Sequence, residues 1–129
     1  NEVEKHGLSD CVIYLGVINR PQELLSSLDL CLMPSRWEGL PLVLLESFSV
    51  GTPVIATDIP GIREIVETGR NGVLVPVENP KALSDAVIQA CSSEAEMSLL
   101  SRGAYDSYLS KYDYKTWERR YLNLYVSCL

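Results

Sequence analysis

Two carboxylates able to do chemistry stand either side of an apolar run. In Pro34-Ser-Arg-Trp-Glu-Gly-Leu-Pro-Leu-Val-Leu-Leu-Glu-Ser-Phe-Ser-Val-Gly51, Glu38 and Glu46 bracket seven residues. Pro41 suits the first helical position, where its missing N–H is no loss, and Gly51 suits the residue just past a helix end. The spacing therefore predicts a helix over roughly 41–50. Glu46 then falls mid-helix among Leu42, Val43, Leu44, Leu45, Phe48 and Val50, the composition of a mostly buried helix. A carboxylate there is costly unless something hydrogen-bonds it. Glu38 precedes the helix in a loop ending at Gly39, so amides just after it can face outward at the positive helix end, which attracts phosphate. From that end to Glu46 is about five residues at ~1.5 Å each, comparable to the reach from a diphosphate to a ribose. A nucleoside diphosphate fits along such a helix.

The rest of the chain must position this segment. Cys11–Leu15, an apolar run ending at Gly16, predicts a buried parallel strand, with a strand-to-helix loop over 16–20. Pro21 opens a short helix through Leu28. Leu30–Met33, Pro53–Ala56 and Val73–Val77 read as three further strands, and Thr57–Gly61 as a loop before a short helix carrying Arg63 and Glu64. Asn79 and Pro80 read as cap and first residue of a helix to about Ala90, with Leu83, Ala86, Val87 and Ala90 inward. Two more helices follow near 94–110 and 114–128, with Met97, Leu100, Ala104 and Tyr108, then Trp117, Tyr121, Leu124 and Cys128, as their apolar positions. Strands alternating with helices predict an α/β fold: a Rossmann-like parallel sheet with flanking helices. Ligands of such sheets bind beyond the strands' carboxyl ends, which loops 16–20, 34–40 and 57–61 all leave.

Bulk properties bound the function classes. A chain of 129 residues is one domain's worth and buries roughly 60–70% of its unfolded surface, enough for a core without staples. Eleven basic against 17 acidic residues give −6, which argues against nucleic acid or anionic lipid as a partner of this piece. No apolar run approaches membrane-spanning length, and Asn1–Asp10 lacks the basic start and apolar middle of a signal peptide. His6, the single histidine, reads as a solvated side chain. Cys11, Cys31, Cys91 and Cys128 are scattered without a Cys-x-x-Cys pair, so buried reduced thiols in a cytosolic protein are expected rather than metal sites or disulfides. No Asp-x-Asp occurs, and no metal is expected.

The Glu38/Glu46 pair, with Gly39-Leu40-Pro41 after the first, resembles the E-x7-E motif of group 1 retaining glycosyltransferases of the GT-B fold. The likeness continues through Gly51-Thr-Pro-Val-Ile-Ala-Thr-Asp-Ile-Pro-Gly-Ile-Arg-Glu-Ile-Val66 and Asn71-Gly-Val-Leu-Val75. It implies that residues 1–129 are a partial donor-binding domain, truncated from the C-terminal GT-B domain. In the family, two further strand-helix units precede the strand matched by Cys11–Leu15 and carry a basic Arg/Lys pair for the donor diphosphate. A whole preceding domain, which binds the acceptor, is also expected to be missing. Losing those two central strands would leave Cys11–Leu15 without its neighbours, so either it pairs directly with Leu30–Met33 or a second copy of the chain covers the open edge in a homodimer of the fragment.

The resemblance further implies transfer of a sugar, with retention, from a UDP- or GDP-type nucleotide sugar to an acceptor hydroxyl. The acceptor would be a glycan or lipid-linked glycan in polysaccharide or glycoconjugate synthesis, reached from the cytoplasm or the inner membrane face. No cofactor is implied. Glu38 would contact the transferred sugar, the alternative being a charge favouring a helix start. Glu46 would grip the ribose hydroxyls, the alternative being a carboxylate holding backbone amides. Gly39, Leu40 and Leu42 would offer amides to phosphate or sugar, or simply form a Gly-Pro helix start. Ser35 and Arg36 would touch base or phosphates, or be a surface stack on Trp37. Gly16 and Val17 would receive the nucleobase through backbone atoms. Asp58 reads as a local cap, and Trp117 and the late tyrosines as packing. The alternatives for the whole chain are another GT-B enzyme, such as a nucleotide-sugar epimerase or a glycogen- or starch-type synthase, or a non-catalytic nucleotide-binding or interaction module.

Overall fold

The computed structural model describes residues 2–128. Three short parallel strands form one sheet: β1 (Cys31–Met33), β2 (Val54–Thr57) and β3 (Gly72–Val75), in the order β1-β2-β3. Register pairs Cys31 with Val54 and Leu32 with Ile55 on one side, and Val54 with Gly72 and Thr57 with Val75 on the other. The central strand is buried along its whole length, so its side chains serve two layers by strict alternation. Val54 and Ala56 point into one cluster with Leu44, Phe48, Ile62, Val66 and Ala104. Ile55 joins Val75 and Ala90 on the opposite face, backed by Leu83, Val87 and Met97.

The helices are α1 (Glu2–Lys5), α2 (Pro21–Leu25), α3 (Leu42–Ser49), α4 (Pro60–Arg63), α5 (Pro80–Cys91), α6 (Glu94–Ser107) and α7 (Tyr114–Ser127), with a π-helical turn at Tyr108–Tyr112. Ser26 and Ser27 end α2 early: their hydroxyls bond back to the carbonyls of Glu23 and Leu24. Asn79 Oδ1 accepts the Ala82 amide and Pro80 opens α5, as the cap pattern predicts. Leu100 and Ala104 are buried on α6, in line with their helical spacing. Gly51, at φ 76°, ends α3 in the left-handed conformation that glycine adopts without strain.

Several expectations are corrected. Cys11–Leu15 forms no strand; its residues are exposed, and the hydrogen bonds of Cys11 and Val12 run only to Leu8. Without a neighbouring strand, apolar β-prone residues have nothing to ladder against, and pattern alone does not hold them extended in a sheet. Pro41 is the residue before α3 rather than its first, with extended backbone at φ −76°, ψ 98°. The helix is also not enclosed: Leu44, Ser47 and Phe48 are buried, whereas Leu42 is exposed and Glu46 half-buried. Among the thiols only Cys31 is even partly buried; Cys11, Cys91 and Cys128 are exposed. Burial pushes the Cys31 thiol up from its ordinary pKa, against a smaller lowering by Ser47. Trp117 and its tyrosines do not pack on the core either. Tyr114, Trp117 and Tyr121 stack along α7 and Tyr125 meets Tyr121 edge-on, with successive centroids 6.4, 4.9 and 5.1 Å apart, and none of the helix is buried. Asn1 and Leu129 lie outside the described residues.

Candidate functional site

The site is assembled at the carboxyl ends of β1 and β2 and along one face of α3. Beyond β1, the chain turns through Ser35–Glu38, and Ser35 Oγ donates to Glu38 Oε1 at 2.8 Å. The same residue is held from the other side. Thr57, at the end of β2, donates its hydroxyl to the Ser35 carbonyl, so the neighbouring strand fixes the loop that carries Glu38.

Gly61, on α4, fixes the next step. A Cβ there would lie 2.7 Å from the Glu38 carbonyl oxygen and closer still to that of Gly39, well inside van der Waals contact. The Glu38–Gly39 backbone is therefore laid against a bare glycine. From this support the chain passes through Leu40 and Pro41 into α3. The amides of Gly39, Leu40, Leu42 and Val43 take no acceptor among the described residues; for Leu42 and Val43, in the first turn of α3, helix geometry requires it. They form a set of free N–H donors at the positive end of α3, next to Glu38.

Glu46 lies one turn further along the exposed face of α3, at i+4 from Leu42. Gln22 Nε2, from α2, donates to its Oε1 at 3.3 Å. Around it Gln22, Leu42, Leu45, Ser49 and Tyr108 line a hollow of about 180 Å³. Glu46 is thus not the desolvated carboxylate that the apolar run suggested: it sits where apolar wall meets solvent, with most of its lone pairs unused.

Other predicted residues fall elsewhere. Arg36 turns away from Glu38 to pair with Glu78, Nε to Oε1 3.1 Å, across a cleft of about 370 Å³ bounded by Pro34, Thr57 and Leu83. Gly16, at φ 67°, and Val17 are exposed and carry no hydrogen bond to this cluster. Asp58 is not the cap expected of it: it pairs with Arg63, Nε to Oδ1 2.6 Å, while the residue capping α4 is Ile59, with no side-chain cap bond. Sequence reasoning missed Gln22, Thr57 and Gly61. Gln22 and Thr57 act on residues 24 and 22 positions away, a separation that leaves no local signal, and Gly61 was visible only as part of a loop.

Among the described residues, no three His, Cys, Asp or Glu side chains converge as a metal site, and no helix is long and apolar enough to cross a membrane.

Comparisons with known proteins identify the family of the chain. Residues 1–93 match the family described as glycosyl transferases group 1. The chain is 36% identical over 86 residues to the lipopolysaccharide core biosynthesis mannosyltransferase LpsB of Rhizobium meliloti, covering 65% of this chain and 24% of that protein. It is 33% identical over 127 residues to a D-inositol 3-phosphate glycosyltransferase of Corynebacterium urealyticum, covering 96% of this chain and 30% of the relative. Among solved structures, a variant of S. aureus TarM, in complex with fondaparinux, alpha-GlcNAc-glycerol and UDP, superposes with a TM-score of 0.85 at 26% identity, over 95% of this chain and 25% of TarM. The chain therefore spans about a quarter to a third of the length of these relatives. Over that span the family match and the relatives agree: the chain belongs to the group 1 glycosyl transferases.

Proposed function

We propose that residues 1–129 are part of the donor-binding domain of an enzyme that transfers a sugar from a nucleoside diphosphate, UDP or GDP, to an acceptor hydroxyl with retained anomeric configuration. The observation that carries this reading is the arrangement on α3: four free amides at its positive end, Glu38 anchored beside them, and Glu46 on the exposed face of the same helix. The UDP bound by the structurally similar TarM variant supports the nucleotide class.

In this reading the diphosphate lies at Gly39, Leu40 and Leu42, whose amides stabilise the charge that develops as the sugar C1–O bond to the β-phosphate breaks. Glu46 accepts the two ribose hydroxyls, and Glu38 orients the sugar rather than attacking it. A new bond joins C1 to the acceptor oxygen, and the hydroxyl proton leaves with the diphosphate. Ser35 acts through Glu38; Gly16 and Val17 take the base. Arg36 reaches the phosphates only by leaving Glu78. The chemistry uses no metal and no cofactor. The acceptor, a glycan or lipid-linked glycan of surface polysaccharide, is held by a domain outside this chain, on the cytoplasmic side of a membrane. The isolated chain is not a competent catalyst: Arg36, in the Ser35–Glu38 turn, is already paired with Glu78, and the chain spans about a quarter to a third of the length of its relatives. The open edge of β1, with Leu32 exposed, supports pairing of isolated chains.

A calorimetric titration of the full-length protein with UDP, GDP and ADP tests the reading. One nucleotide should bind, and Glu46→Ala should weaken it by roughly tenfold or more, the worth of charge-assisted hydrogen bonds. Unchanged affinity would remove the ribose role.

A further inference from the structure

We propose that Gln22 is a positioning residue for nucleotide binding: its amide holds one oxygen of Glu46 so that the carboxylate faces a vicinal diol in a fixed orientation. The inference rests on the reading of Glu46 given above and adds to it a residue from a different helix.

A mid-helix glutamate has three rotatable bonds, and gripping two adjacent hydroxyls requires one carboxylate orientation. Gln22 Nε2 supplies that constraint at 3.3 Å from Oε1. The donor is neutral. A lysine or arginine here would cancel the charge that makes Glu46 a strong acceptor, whereas an amide takes one lone-pair site of about four and leaves the rest for ligand. The backbone of Gln22 is itself held. It lies in the first turn of α2, opened by Pro21, and three residues on Leu25 is buried, with its carbonyl accepting from Thr52 Oγ1 at 2.7 Å. Thr52 follows α3 after Val50 and Gly51. Helix α2 is thus tied at its last residue, Leu25, to Thr52 and in its first turn, at Gln22, to Glu46 midway along α3. The second tie lies on the exposed side, in the wall of the hollow that also holds Leu42 and Tyr108.

The test compares two nucleotide forms. In the full-length protein, the affinity of UDP or GDP, whichever binds, is measured beside that of its 2′,3′-dideoxy form. Gln22→Leu should weaken the natural nucleotide about three- to tenfold, one hydrogen bond's worth, and leave the dideoxy form within about twofold. Gln22→Glu should weaken the natural nucleotide more at pH 7.5 and recover on acidification, as one of the facing carboxylates takes a proton. Equal losses for both nucleotides, or none, would overturn the proposal. Because Gln22 is exposed, both variants should melt near the parent, and a melting shift matched by equal losses counts as the packing outcome. If instead Glu46→Ala itself leaves affinity unchanged, it is the donor-site reading that fails.

Discussion

Ser35 and Glu38 form one hydrogen-bonded unit, hydroxyl to carboxylate at 2.8 Å, and the backbone of Ser35 is held in turn by the Thr57 hydroxyl. The carboxylate next to the free amides is therefore aimed from within its own loop, and the end of β2 holds that loop in place. Its orientation depends on a hydroxyl that a methyl cannot replace. Ser35→Ala should lower kcat of the full-length enzyme about three- to tenfold with little change in nucleotide affinity, because one hydrogen bond orienting Glu38 is lost while the amides and Glu46 remain. Steady-state kinetics alongside nucleotide titration checks it; a loss confined to nucleotide affinity would contradict this placement of Glu38.

Gly61 tests the support beneath the same loop. Any side chain there runs into the carbonyls of Glu38 and Gly39, and backbone cannot give way as a flexible side chain can. Gly61→Ala should shift the loop, cut turnover at least tenfold and cost about 1–3 kcal/mol of stability. Thermal melting and activity, measured together, decide it. An alanine variant with normal melting and turnover would show that the loop is not so tightly backed.

Asn71 lies in the stretch whose likeness to the family is strong, yet its bonds are internal. Fully buried, it accepts the Glu67 amide at 2.7 Å and donates to the Ile65 carbonyl at 3.2 Å and Ser107 Oγ at 3.1 Å. Asn71→Leu should lower stability by about 2–4 kcal/mol, since three partners, two of them buried, lose their bonds at once. Chemical denaturation measures this. Any nucleotide binding that survives in the folded fraction should keep its parental affinity.

Glu67 makes stability depend on acid pH. A hydrogen bond from Lys111, then one from Arg70, hold its carboxyl below the ordinary carboxylate range. A carboxylate depressed in the folded state stabilises fully above its unfolded pKa, and that stabilisation is lost as pH falls through the folded value. The group is partly exposed, so the effect stays under about 1 kcal/mol. Glu67→Gln should destabilise the chain near pH 7 and have progressively less effect below about pH 4. Melting temperatures across that range check the sign.

What the sequence determined by itself were the features written in short windows. The Asn79-Pro80 cap, the Gly51 terminus, the β2 and β3 segments and the helical stripes of α5 and α6 follow from propensity and spacing within a few residues. The pairing of Glu38 with Glu46 across one helix start was legible for the same reason. Tertiary structure decided the rest. Cys11–Leu15 reads as a strand, but a strand exists only through a neighbour's backbone, and none lies beside it here. Residues 117–125 of α7 read as packing, but what an amphipathic face covers depends on what stands opposite; its aromatics contact each other instead. Glu46 reads as a buried charge because burial was inferred from composition, whereas α2 leaves its side of α3 open and supplies Gln22. That Arg36 belongs to Glu78, and that Thr57 and Gly61 hold the Glu38 loop, were invisible for the same physical cause: each contact joins residues more than twenty positions apart, and only the folded chain brings them within bonding distance.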